Sequence, residues 1–266
     1  MKSKIGAMIG AIAGDIIGSA YEFRGVDEQH FKFFDRNCRY TDDTVLTIAV
    51  ADWLCHPGSN LQDFLLQYGR KYNWVGYGGM FLRWLRSSTP RPYNSLGNGS
   101  AMRVSAVPCW ANTIEEAVKL AKESAIPTHN HPEGIKGAQA VAVAALMARQ
   151  GMTKEQIKEQ LQELFDYDLN RSYLDLYNSE YVFDVTCQGT VPAALISFFE
   201  SENYEDCIFK AVLTNKDTDT AAAVAGAVAG AFYGVPDTVK EKAMTYLPEE
   251  LLDIIKLFEN TLNQKK

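Results

Sequence analysis

A chain of 266 residues with 47% hydrophobic side chains is long enough to bury a sizeable core, as one large domain or two small ones. Its 33 acidic residues outnumber 26 basic ones, giving a net charge of -7, and no lysine or arginine block could track a phosphate backbone. General nucleic-acid binding is therefore disfavoured, a small phosphate-bearing ligand is not, and five scattered cysteines without a C-x-x-C pair argue against a disulfide framework or a zinc site and for a reducing cytoplasm.

The first segment, "MKSKIGAMIGAIAGDIIGSA", opens like a secretory leader, with lysines before an apolar stretch. Asp15 interrupts that stretch, and Gly6, Gly10, Gly14 and Gly18 recur every fourth residue. On a helix this spacing places all four on one face, where a second backbone can approach closely, so a buried core helix is expected. No other segment is long and apolar enough to span a bilayer, and no membrane association is expected. "TVLTIAVADWL" from Thr44, "GAQAVAVAALMA" from Gly137 and "AAAVAGAVAGAFYG" from Ala221 are apolar all round, as central helices of a large bundle are. Gly226, Gly230 and Gly234 repeat the four-residue spacing, so the two glycine-rich helices are candidates to pack closely on each other or on a neighbour.

Between these stretches, Thr113-x-x-Glu116, Thr153-x-x-Gln156 and Thr238-x-x-Glu241 have the form of capping boxes, and a helix start is expected at each. After Thr153, the residues Ile157, Leu161, Leu164 and Phe165 have the spacing of one buried stripe. Pro248 followed by two glutamates opens a last helix. Only "YVFDVT" from Tyr181 alternates like a strand, too isolated to make a sheet. With no linker, low-complexity tract or repeat, the expectation is one all-α domain spanning residues 1–266.

Two acidic clusters precede fully apolar helices: Thr41-Asp42-Asp43-Thr44, and Asp217-Thr218-Asp219-Thr220. Either alone reads as N-capping with acidic residues at the positive end of the helix dipole. Capping needs one short polar side chain, however, and each cluster carries two carboxylates flanked by hydroxyls. If both helices begin on the same side of the bundle, four carboxylates converge and repel one another unless a cation joins them. Such an all-oxygen set suits Mg²⁺, Mn²⁺ or Ca²⁺, with two ions about 3.5–4 Å apart a reasonable arrangement. "NSLGNGSAMRVSAVP" adds Gly97 and Gly99 for close backbone approach, with Ser100 as the candidate start of a helix carrying Met102 and Arg103 and a diphosphate as the natural guest; a plain turn and cap is the ordinary alternative. "PTHNHPEG" places His129 and His131 in a loop, better suited to structure or ligand contact than to zinc. Glu22 follows the N-terminal helix, where an acid is most often an ordinary surface residue.

In this order, "GAIAGDIIGSAYE", "YTDDT", "GNGSAMR", "THNHPEG" and "DTDTAAAVAGAVAGAFYG" resemble the motifs of the ADP-ribosylglycohydrolase family, covering about residues 6–234. The resemblance implies an all-α bundle with a dinuclear Mg²⁺ or Mn²⁺ centre that hydrolyses the bond between the anomeric carbon of ADP-ribose and an acceptor. It assigns Thr41, Asp42, Asp43, Asp217, Asp219 and Thr220 to the metals, and matches Glu22 to a glutamate that serves in some members as acid/base or substrate-gating residue; Glu22 and Asp42 or Asp43 are then the candidates for general acid and general base. Gly97, Asn98, Gly99, Ser100 and Met102 match the loop that holds the diphosphate, His129 and His131 a loop lining the ADP-ribose site, and Asp15 a structural aspartate. Many members carry Gly-Gly where this chain has Asn215-Lys216, a departure that bears on the local turn, on a cation near the metals and on substrate preference. A monomer is expected. The competing expectations are a catalytically silent, ADP-ribose-binding or crystallin-like relative, and a two-metal hydrolase of phosphate esters.

Overall fold

The computed structural model describes residues 3–179 and 183–265. The chain is all-α. Its elements are α1 (Gly6–Gly18), α2 (Asp42–Leu54), α3 (Leu61–Lys71), α4 (Gly79–Arg86), α5 (Gly99–Met102), α6 (Val107–Trp110), α7 (Ile114–Ala125) and α8 (Pro132–Arg149). They continue with α9 (Lys154–Phe165), α10 (Tyr173–Tyr177), α11 (Cys187–Phe199), α12 (Tyr204–Thr214), α13 (Thr218–Phe232), α14 (Asp237–Met244) and α15 (Glu249–Gln264). The three stretches that are apolar all round became α2, α8 and α13, each buried along nearly its whole length. A helix with no polar face has no surface position available to it, so these form the centre.

The tightest contact joins α1 to α13. A Cβ placed on Gly6 would lie 2.6 Å from the carbonyl oxygen of Gly230, and one on Gly10 or Gly14 would meet the oxygens of Gly226 and Ala222 closer still. The reciprocal clashes hold for Gly226 against Gly10 and Gly230 against Gly6, so the two backbones touch without intervening side chains. Gly6 faces Gly230 whereas Gly18 faces Thr218, which makes the pair antiparallel. The C-terminal end of α1 therefore meets the N-terminal end of α13. Tyr204, on α12, closes the seam by donating its hydroxyl to Gly10 O at 2.7 Å.

Helix starts follow their caps with two exceptions. Thr113 accepts from Glu116 N and Thr153 completes a reciprocal box with Gln156, whereas α14 begins two residues earlier than expected, at Asp237, and Thr238 caps nothing. Ser100 does not begin α5 either, because Asn98 takes the cap position and Gly99 the first helical one. Ile157, Leu161 and Phe165 form the buried stripe of α9, but Leu164 lies off it, 51% exposed. Of the "YVFDVT" segment, Tyr181 and Val182 lie outside the described residues, and Thr186 makes an isolated antiparallel bridge with Gly97. All five cysteines are free. Among the described residues no helix is long and apolar enough to cross a membrane.

Replacing Gly10 by Ala forces the α1–α13 seam apart and is expected to cost at least about 1–3 kcal/mol in urea unfolding. Gly78→Ala, where an added Cβ meets nothing within 4 Å, serves as the control and stays within about 0.5 kcal/mol.

Candidate active site

The site is assembled where the end of α1 meets the starts of α2 and α13. Asp15, in the last turn of α1, is fully buried and accepts from Thr41 N (3.0 Å), Thr41 Oγ1 (2.7 Å), Thr44 N (3.1 Å) and the Thr44 hydroxyl. Those bonds pin the first turn of α2 to α1. Thr41 also caps α2, accepting from Asp43 N at 3.3 Å. The threonines thus answer the backbone and Asp15, which leaves Asp42 and Asp43 without a capping task.

On α13 the result is similar. Asp217 stands at the N-cap position, yet its side chain makes no cap bond. Its Oδ2 instead accepts from Asn98 Nδ2 at 2.6 Å, tying the Gly97–Gly99 turn to the acidic cluster. Asn215 is extended at φ -147° and ψ 144°, and neither it nor Lys216 has a left-handed backbone. The turn is therefore unstrained without glycine. The Asn215 amide works as a staple, accepting from Asp217 N at 3.0 Å and from Asp184 N at 3.3 Å, and donating to Asp184 O at 3.0 Å.

Carboxylate oxygens of Asp15, Asp43 and Asp219 lie within 4.8 Å of one another, as do those of Glu22, Asp217 and Asp219. Burial, then the charges of Asp15 and Asp42, push Asp43 well above the usual carboxylate range. Burial, then Asp217 and Asp43, do the same to Asp219. Asp42 is raised to about 8 by burial and by Asp15. Glu22 reaches about 7, through burial and Asp217, with Arg39 at 3.4 Å pulling the other way from the rim. The Asp43 Oδ1 atom is buried and has no hydrogen-bond partner. An orphaned carboxylate oxygen among like charges is costly unless a cation or a proton meets it, and an all-oxygen set of this kind fits a hard divalent ion.

Most of these acids line a cavity of about 620 Å³. Glu22, Asp42, Asp43, Asp217, Asp219 and Thr220 all face it. Gly97, Asn98, Gly99, Met102 and His129 line the same cavity. The Gly97–Gly99 turn is held by Asn98 N donating to Val185 O at 2.8 Å and Cys187 N to Leu96 O at 3.0 Å. Three expected residues stand outside the lining. Thr41 is engaged by Asp15; Ser100 is fully buried and donates to Gly134 O at 2.6 Å; His131 caps α8, its Nδ1 accepting from Glu133 N at 3.1 Å.

Sequence reasoning did not single out several wall residues. Tyr93 and Val185 carry no motif signal, and the chemistry of Arg103 depends on its burial, which spacing does not reveal. Phe23 and Phe183 meet with ring centroids 5.1 Å apart and planes tilted by 38°, lining the cavity while 65% and 41% exposed. Phe23 takes a left-handed φ of 65°, unusual for a bulky residue, and donates its N–H to Lys216 O at 3.0 Å. That bond ties the segment bearing Glu22 to the approach of α13.

A family model described as ADP-ribosylglycohydrolase matches residues 2–265. An ADP-ribosylarginine hydrolase, Tri1, of Pseudomonas putida (strain GB-1) is 26% identical, over 93% of this chain and 77% of its own. An ADP-ribosyl-[dinitrogen reductase] glycohydrolase of Rhodospirillum rubrum is 26% identical over 88% and 86%, and the ADP-ribosylhydrolase ARH3 of Xenopus tropicalis 25% over 86% and 86%. A solved structure titled "ADP-ribosylglycohydrolase-related protein complex" superposes with a TM-score of 0.69 at 23% identity, covering 97% of each chain, which supports the fold.

Acids with raised pKa hold protons in the folded state that they release on unfolding, so the ion-free protein loses stability as pH rises from the ordinary 3.8 through the Asp42 value of about 8. In chelating buffer the melting temperature is expected to fall across that range. Asp43→Asn should raise it at the alkaline end, by about 2–4 °C for each kcal/mol of repulsion removed.

Proposed function

Because the chain belongs to the ADP-ribosylglycohydrolase family, we propose that it hydrolyses the glycosidic bond between ADP-ribose and an acceptor, with two Mg²⁺ or Mn²⁺ ions, as one catalytic domain. The observation that carries this reading is that the carboxylate cluster, with its orphaned Asp43 oxygen, and the Gly97–Gly99 turn line one cavity and are joined by the Asn98–Asp217 hydrogen bond. A single hydrophobic cluster reaching from Ile5 to Leu262 supports the one-domain reading.

Asp42, Asp43, Asp217 and Asp219 would hold the ions, with Thr220 beside them, its hydroxyl 3.4 Å from Asp43 Oδ2. When bound, the ions supply positive charge that orients ribose hydroxyls and water. The Gly97–Gly99 turn places the diphosphate. Cleavage passes through an oxocarbenium-like state, which the surrounding carboxylates stabilise. Burial and Asp217 raise Glu22 to about 7 in the ion-free protein, and its place in the cavity lining makes it the candidate general acid for the departing atom. A water then adds to the anomeric carbon while a carboxylate of Asp42 or Asp43 takes its proton. Asp15 accepts four hydrogen bonds from Thr41 and Thr44 and serves as a brace.

The test is incubation with ADP-ribosylated arginine, ADP-ribosylated serine peptide and O-acetyl-ADP-ribose, with Mg²⁺, Mn²⁺ or EDTA, scoring free ADP-ribose and AMP. Metal-dependent ADP-ribose release is the expected result, and the substrate consumed identifies the linkage. Asp219→Ala should abolish it, and Glu22→Gln should lower kcat by about 10²–10⁴-fold. Release of AMP instead, from hydrolysis within the diphosphate, would point to a hydrolase of phosphate esters and anhydrides. A protein that ADP-ribose stabilises but that cleaves none of the conjugates would be a binder.

A further inference from the structure

Arg103 is fully buried in the cavity wall, and among the described residues no carboxylate pairs with it. Its Nη2 donates to Ser124 O and to Thr128 Oγ1, both at 2.8 Å, while Nε and Nη1 are buried without partners. A buried guanidinium without a counter-ion is costly, which directs attention to what its charge acts upon. Thr128 Oγ1 is also 2.7 Å from Nδ1 of His129.

A guanidinium only donates, so Thr128 must accept from Arg103. The threonine hydroxyl keeps one hydrogen and one lone pair, so Nδ1 of His129 could receive from it or donate to it. Electrostatics favour receipt, since a cation on the Nδ1 side of the ring stabilises a lone pair there and disfavours a proton. Burial and the Arg103 charge also push His129 well below its ordinary pKa, which keeps the ring neutral. Its proton then belongs on Nε2. That atom faces the glycine turn: a Cβ on Gly99 would lie 3.1 Å from it.

We propose that Arg103 is a positioning residue which, through Thr128, locks His129 as the neutral Nε2–H tautomer, so that the ring presents a fixed donor beside the Gly97–Gly99 turn. The group it takes is an anionic oxygen of the ligand, which the unpaired Arg103 charge also favours. In naming that ligand as ADP-ribose, the inference rests on the hydrolase reading. A histidine of the opposite tautomer would offer the same oxygen a lone pair and repel it. Positioned this way, His129 discriminates for acceptors without undergoing any change of charge.

The test uses the full chain labelled with ¹⁵N-histidine, read by NMR at neutral pH, together with ADP-ribose binding by calorimetry. Wild type should show Nδ1 unprotonated and Nε2 protonated. Thr128→Val, which keeps the shape and removes the relay, should mix the tautomers and weaken ADP-ribose binding about tenfold, or about 1.4 kcal/mol. Thr128→Ser should restore both. Arg103→Met should mix the tautomers as well; if it fails to fold, Thr128→Val still reports on the relay. An Nδ1–H ring or an imidazolium in wild type, or an unchanged ring and affinity in Thr128→Val, would overturn the proposal. A wild-type chain with the expected tautomer that ignores ADP-ribose would contradict the hydrolase reading and still support the lock.

Discussion

The backbone contact between α1 and α13 is the constraint on which the remaining geometry depends. Glycines on both helices let the main chains touch, and the antiparallel arrangement delivers Asp217 and Asp219 to the end of α1 that carries Asp15 and precedes Glu22. Asp15 then recruits the start of α2 through its bonds to Thr41 and Thr44. Three helix ends that are far apart in sequence meet because one seam has no room for side chains. An added methyl group at that seam would therefore act on the acidic cluster as well as on packing.

The second consequence is electrostatic. Burying several carboxylates together raises their pKa values, and the cluster contains an oxygen, Oδ1 of Asp43, with no protein donor. Protonation relieves that repulsion at the expense of stability at neutral pH, whereas a divalent ion relieves it without a proton. Another part of the same wall follows the opposite principle, with the Arg103 guanidinium buried without a carboxylate partner. A ligand with an anionic middle and a hydroxyl-rich end suits both features at once.

Much of the fold was legible because its signals are local. Fully apolar stretches gave α2, α8 and α13, Thr113 and Thr153 gave helix starts, and four-residue glycine spacing anticipated the α1–α13 contact. The acidic doublets were legible as more than caps, since Asp217 makes no cap bond. What spacing could not reveal was which polar groups are already committed. Ser100 and His131 have suitable chemistry in suitable motifs, but Gly134 O and Glu133 N engage them outside the cavity. The staple made by Asn215 and the aromatic pair of Phe23 and Phe183 depend on residues distant in sequence, and no periodicity encodes them.

The central claim is that the buried carboxylates form a divalent-cation site. Calorimetric titration of Mn²⁺ into chelator-stripped protein, repeated in buffers of different ionisation enthalpy, measures uptake and proton release together. Uptake of about two ions per chain with proton release near neutral pH, and loss of that uptake in Asp43→Asn, is the expected result. A folded protein that takes up no Mn²⁺ at millimolar concentration, or takes it up equally in Asp43→Asn, would contradict the claim.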